Sequence, residues 1–168
     1  MHPYLPRDVR QLRRLLDRIP IGMLVTRTLD GVTHTRPMLM HDIDESGWLW
    51  FITDGDSRNA CELNQNPHAT ITFQSSSGNR YIAVQGTAIV VRDDVRLKEL
   101  LKAKRRSWSL RAGGAKIVLV AMRVTSAEYW LLPPTRLLRV MGAAKALITG
   151  RRQESGLHGV LRLHALSA

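Results

Sequence analysis

Ser57, Arg58 and Asn59 follow an apolar run, Trp48-Leu49-Trp50-Phe51-Ile52-Thr53, and a turn through Asp54-Gly55-Asp56. A strand that ends in threonine, turns and restarts as a helix brings hydroxyls, backbone amides and a guanidinium to one point. Helix N-termini present unpaired N–H groups that favour anions, and an arginine adds a planar fork of donors. Such a corner can hold a phosphate. The same residues also suit an ordinary strand–turn–helix in which Ser57 is the N-cap. The local sequence leaves both readings open.

The elements that must position this corner follow from periodicity. Asp8 to Arg18 places Val9, Leu12, Leu15, Leu16 and Ile19 on one helical face opposite a basic one, and Pro20 ends it. Gly22–Thr26 and Thr33–Met40 flank Leu29-Asp30-Gly31, whose Asp-Gly pair signals a hairpin. A second turn, Asp44-Glu45-Ser46-Gly47, leads into a strand from Trp48 to Thr53. A short helix from Ser57 to Asn64 closes at Asn66-Pro67, with Cys61 read as core packing. Strands are expected over Ala69–Phe73 and Tyr81–Val91, the second with a bulge or barrel corner at Gly86. Asp93-Asp94 opens a helix with acids suited to its dipole. Lys116–Trp130 and Leu137–Thr149 are the last expected strands, and the tail beyond Gly150 is polar, then weakly apolar. Many short strands with few helices predict a mainly β fold, a barrel with peripheral helices. With no linker or repeat, residues 1–168 read as one domain, with an N-terminal helix over about 8–19 and a C-terminal tail over about 151–168.

Composition narrows the function classes. The 168 residues can bury a sizeable core, and no apolar run approaches the roughly 20 residues of a membrane helix. Met1–Arg7 lacks the apolar centre of a signal peptide, and a lone cysteine suits a reducing compartment, so a cytoplasmic location is expected. His34, His41 and His68 lack metal-ligand spacing, so no metal site is expected. The net charge of +11 raises the question of nucleic acid. Its main clusters, Arg7 to Arg18 and Arg96 to Arg123, carry few interleaved aromatics apart from Trp108. That pattern favours solvated helix faces over a nucleic-acid surface.

Several segments recur in a telling order. They are Thr33-His34-Thr35-Arg36-Pro37-Met38, the run from Trp48 to Asn59, Asn79-Arg80-Tyr81-Ile82-Ala83-Val84-Gln85-Gly86-Thr87-Ala88, Ala127-Glu128-Tyr129-Trp130, and Ala144-Lys145-Ala146-Leu147-Ile148-Thr149-Gly150. In order and spacing the set resembles the pyridoxamine 5'-phosphate oxidase-like split-barrel flavoproteins, and most of all their general-stress-protein branch. The resemblance runs from about Leu12 to Leu163. It implies an FMN-binding split barrel that forms a homodimer, with flavin mononucleotide, or the dinucleotide, at the subunit interface. It places Arg36 and Met38 on the strand facing ring and phosphate, and Phe51, Ile52 and Thr53 along the ring edge. Ser57, Arg58 and Asn59 fall at the phosphate, Tyr81 on the next strand, and Trp130 and Arg136 approach from the second subunit.

Departures from the family pattern are informative. Many relatives carry lysine where this chain has Asn59, which is expected to weaken the phosphate site; the cations available to replace it are Lys145 and Arg80. True pyridoxamine phosphate oxidases show Arg-Leu-His-x-Arg after the tryptophan, whereas this chain reads Arg136-Leu137-Leu138-Arg139-Val140. Their Arg-Leu-x-Pro terminus is also absent. The resemblance therefore implies a flavin protein with a redox or stress-response role and an unidentified small-molecule substrate, not a vitamin B6 oxidase. No catalytic residue stands out. The rival readings are a flavin-dependent reductase using a nicotinamide cofactor, a flavin carrier or sensor, and a basic nucleic-acid-associated protein.

Overall fold

A computed structural model describes residues 7–103, 116–132 and 156–163. The expected strand from Leu137 to Thr149, with Arg136 and Lys145, lies outside those residues. Chain order is α1 (Arg7–Leu16), β1 (Ile21–Arg27), β2 (Thr33–Ile43), β3 (Trp48–Asp54), α2 (Arg58–Gln65), β4 (His68–Gln74), β5 (Arg80–Val91), α3 (Asp94–Ala103), β6 (Ile117–Leu131) and β7 (Leu157–Arg162).

The strands pair antiparallel in the order β3-β2-β1-β4-β5-β6-β7, and β3 also pairs with β6, closing six strands into a barrel. The fold is the mainly β split barrel expected. Alternation builds it: β1 buries Gly22, Leu24 and Thr26, and β4 buries Ala69, Ile71 and Phe73. Phe51, Leu49 and Ile82 are also fully interior, and each such side chain contributes about 1.5–3 kcal/mol on burial. β6 breaks the alternation, because Val118 to Met122 are all buried. It pairs with β3 over Ile117–Arg123 and with β7 over Ser126–Leu131.

The Asp-Gly hairpin forms as expected, with Gly31 at φ +94°. Gly86 marks a register shift between β5 and β6. A Cβ there would overlap the Arg123 carbonyl oxygen, so the bulge admits only glycine.

The helices close the barrel ends. α1 sends Leu12, Leu15 and Leu16 into the core, and Gln11 Nε2 donates to the Tyr129 hydroxyl at 3.1 Å. α2 packs across β1 and β5. α3 is held by Arg96, which meets Asp42 Oδ2 at 2.7 Å and Glu99 Oε2 at 3.1 Å and lies 5.0 Å from the Trp50 ring centre. Partial burial pulls the Arg96 guanidinium down, but the two carboxylates outweigh it and hold it above the ordinary arginine value.

β7 is a difference from the sequence reading, which treats this stretch as tail. Of its six residues only Leu161 is buried, so the strand carries no alternating signal. Cys61 is a second difference: it is exposed, not packed in the core.

Candidate functional site

β2 changes partners halfway. Thr33–Leu39 pairs with β1, whereas only Met40–Ile43 pairs with β3. β3 continues to Asp54 against β6 alone. The wall is therefore open between Arg36–Met38 of β2 and Ile52–Asp54 of β3, and the start of α2 lies at this opening.

The turn into α2 shows how the Ser57 side chain is used. Its backbone is extended, as an N-cap requires, but its side chain makes no capping hydrogen bond. The hydroxyl donates to the Asp54 carbonyl and lies 3.3 Å from Thr53 Oγ1. The first turn of α2 carries no acidic residue, so its leading N–H groups and positive dipole end have no side-chain anion. Arg58 is exposed there and makes no hydrogen bond or ion pair to the described residues. Asp54 and Asp56 precede it as exposed carboxylates, with Asp54 Oδ1 accepting from the Asp56 N–H.

Arg36 comes to the same place from inside the wall. Its Nη1 donates to Asn59 Oδ1 at 2.9 Å. Asn59 Nδ2 in turn faces Met38 Sδ at 3.9 Å. Asn59 is 0% exposed, so it points into the barrel and not outward beside Arg58. One turn on, Glu62 is also interior. It accepts a hydrogen bond from Thr26 Oγ1 at 2.5 Å. Its other oxygen lies 2.7 Å from His34 Nδ1, a close approach without hydrogen-bond alignment. α2 thus addresses three successive inward residues of β2: His34, Arg36 and Met38.

The remaining expected residues are more dispersed. Phe51 is wholly in the core, so only its backbone could meet a ligand. Ile52 and Thr53 are half-buried. Tyr81 and Trp130 are opposite each other on β5 and β6, each 37% exposed on the outer surface. That exposure sets Trp130 apart from a core tryptophan. Around the wall Tyr81 is three strand steps from Arg36 by β5-β4-β1-β2, roughly 14 Å, whereas Trp130 is two steps away by β6-β3-β2 but lies seven residues along β6 beyond Arg123, the last residue to pair with β3. They border an open groove of about 400 Å³ with Ile21, Met23 and Gln74. Arg136 is outside the described residues.

Two residues near this groove were missed by sequence reasoning. His158 stacks on Trp130 with ring centres 5.3 Å apart, and its Nε2 lies 2.7 Å from Glu128 Oε1. Their link runs through β7, the strand without a pattern. Arg80, a proposed stand-in cation, is engaged elsewhere: its guanidinium donates to the carbonyls of Arg14, Leu15 and Asp17 at the end of α1.

Among the described residues no helix is long and apolar enough to cross a membrane, and no group of three metal-ligating side chains gathers. A cofactor with a phosphate fits the donor set at α2, where the helix start is uncapped by any side chain and two arginines approach. Comparison with known proteins gives the family and the fold. A pyridoxine/pyridoxamine 5'-phosphate oxidase from Salinibacter ruber is 34% identical over 64 residues, 38% of this chain and 29% of that protein. The chain thus matches under a third of that relative's length. General stress protein 26 from Bacillus anthracis shares the fold, with a TM-score of 0.56, 23% identity, and coverage of 72% of this chain and 92% of that one. So does a pyridoxamine 5'-phosphate oxidase-related, FMN-binding protein from Nostoc punctiforme, with a TM-score of 0.59, 13% identity, and coverage of 98% and 100%. The model of the family described as pyridoxamine 5'-phosphate oxidase like matches residues 7–154, and the chain belongs to that family.

Proposed function

We propose that this protein binds flavin mononucleotide as a homodimer and serves a redox or stress-response role. The observation that carries the reading is the start of α2. Its N–H groups have no side-chain cap, Ser57 is turned to the preceding turn, and Arg58 and Arg36 approach from two elements. Amides, hydroxyls and two guanidinium groups suit a phosphomonoester. The flavin ring would lie along Ile52 and Thr53, with Tyr81 on the neighbouring wall and Trp130 and Arg136 supplied by the second subunit. The dimer is supported by an outer surface that leaves Ile21 57%, Met23 42%, Tyr81 37% and Trp130 37% exposed around one groove, which a second copy would cover. A flavin, when bound, supplies the electron chemistry, and the protein's residues bind and orient it.

The test is the absorption spectrum of the purified protein, with mass identification of whatever heat releases. A flavin spectrum and the mass of the mononucleotide are expected. Colourless protein that takes up no added flavin would overturn the reading. Light scattering that returns only the 19.0 kDa monomer would remove the dimer. Bleaching of the flavin by a nicotinamide donor would identify a nicotinamide-dependent reductase, and its absence would exclude that reading.

A further inference from the structure

We propose that Asn59 is a positioning residue that aims Arg36 at the anion, and not itself an anion ligand. The inference deepens, and rests on, the flavin-phosphate reading of this corner. Asn59 follows Arg58 in sequence, so a shared role on the exposed helix start is the simple expectation. The structure separates them. Arg58 is exposed, whereas Asn59 is 0% exposed with both ends of its carboxamide engaged. Oδ1 accepts from Arg36 Nη1 at 2.9 Å, and Nδ2 faces Met38 Sδ at 3.9 Å.

The chemistry of that arrangement is specific. A carboxamide oxygen accepts from a guanidinium without neutralising it. Arg36 keeps its full charge and its other donors while one corner of its fork is fixed. A carboxylate here would hold the guanidinium equally well and cancel its charge. A lysine would offer no acceptor and would set an ammonium beside a guanidinium. Asn59 itself cannot drift, because Glu62, one turn on, is anchored to Thr26 and lies against His34, which fixes how α2 sits on β2. The site therefore has two cations, Arg36 oriented from within and Arg58 free at the rim. The buried amide replaces a third charge by orientation.

The experiment compares wild type, Asn59→Leu, Arg36→Met and the double variant. Asn59→Asp is added because it keeps shape and acceptor and guards against a variant that fails to fold. Each protein is titrated with flavin mononucleotide, riboflavin and inorganic phosphate. Asn59→Leu is expected to weaken the mononucleotide by about tenfold and to leave riboflavin within about twofold. In the Arg36→Met background the same change is expected to have no further effect, because its route to the phosphate is gone. Asn59→Asp is expected to fold and also to lose the preference for the phosphorylated ligand. Equal losses for both flavins, full additivity with Arg36→Met, or an unchanged preference in Asn59→Asp would each overturn the proposal. If wild type binds no flavin but binds inorganic phosphate in an Asn59-dependent way, the flavin reading falls and the positioning role stands. If it binds neither, both fall.

Discussion

Arg80 Nη2 donates to the Asp17 carbonyl oxygen at 3.0 Å, and Nη1 of the same side chain reaches the carbonyls of Arg14 and Leu15 at 3.3 and 3.2 Å. These are the orphan acceptors at the end of α1, and a cation there also complements the helix dipole. One side chain from the start of β5 thus ties α1 to the barrel, and it is not available to an anion at α2. Arg80→Met keeps the aliphatic stem and removes the donors. Hydrogen bonds from a charged group contribute about 1.5–3 kcal/mol, which lowers the melting temperature by about 3–12 °C at this chain length. Flavin affinity should not change. A thermal melt run beside a flavin titration checks both, and lost affinity with an unchanged melt would return Arg80 to the phosphate.

Much of this fold is legible in the sequence because most strands are half-buried and alternate, and because Asp30-Gly31, Gly47 and Gly86 mark turns and a bulge by residue type. β7 is not legible, since an edge strand burying only Leu161 leaves no period to read. α2 misleads for a different reason. Ala60 and Leu63 face inward as hydrophobic phase requires, but the same face also buries the polar Asn59 and Glu62 while Cys61 faces solvent, and phase alone gives no sign of either. The proposed phosphate corner is visible as residue types near one another in sequence. That Arg36 reaches Asn59 across 23 positions is a tertiary fact with no local signature.

The inward polar face of α2 makes a stability prediction. Thr26 is 1% exposed and Glu62 5%, and the Thr26 hydroxyl donates to Glu62 Oε2 at 2.5 Å. Thr26→Val conserves shape and leaves a buried carboxylate oxygen short of a donor. The cost should be about 1–3 kcal/mol, read as a lower urea midpoint with an unchanged slope. Thr26→Ser should recover most of it. If valine is neutral, Glu62 has another partner and the pair does not hold α2.

Gly86 makes a sharper one. At the register shift, a Cβ on residue 86 would overlap the Arg123 carbonyl oxygen and come within 2.9 Å of its carbon, both backbone atoms. No rotamer relieves that, so β5 and β6 must separate at the bulge. Gly86→Ala should cost about 3 kcal/mol or more, beyond the ordinary range for a surface or loop substitution. Soluble expression and a chemical melt measure it. A variant as stable as wild type would mean that the bulge can shift by a residue.

Arg58 offers the cleanest separation of function from fold. It is exposed and bonds to none of the described residues, so Arg58→Ala should change stability by no more than about 0.5 kcal/mol. If it meets the flavin phosphate, the lost charge-assisted contact is worth about 1.5–3 kcal/mol, a weakening of roughly 10- to 150-fold. The loss should be confined to the phosphorylated ligand, because riboflavin offers nothing for the guanidinium to hold. It should also shrink as salt is added, since an exposed charge pair is screened beyond about 8–10 Å at physiological ionic strength. Flavin fluorescence titrations at low and high salt, with both ligands, measure all three signatures. Equal weakening of riboflavin would move Arg58 from the phosphate to the ring. Unchanged affinity for both would remove the start of α2 from the cofactor site and leave Arg36 without its partner cation.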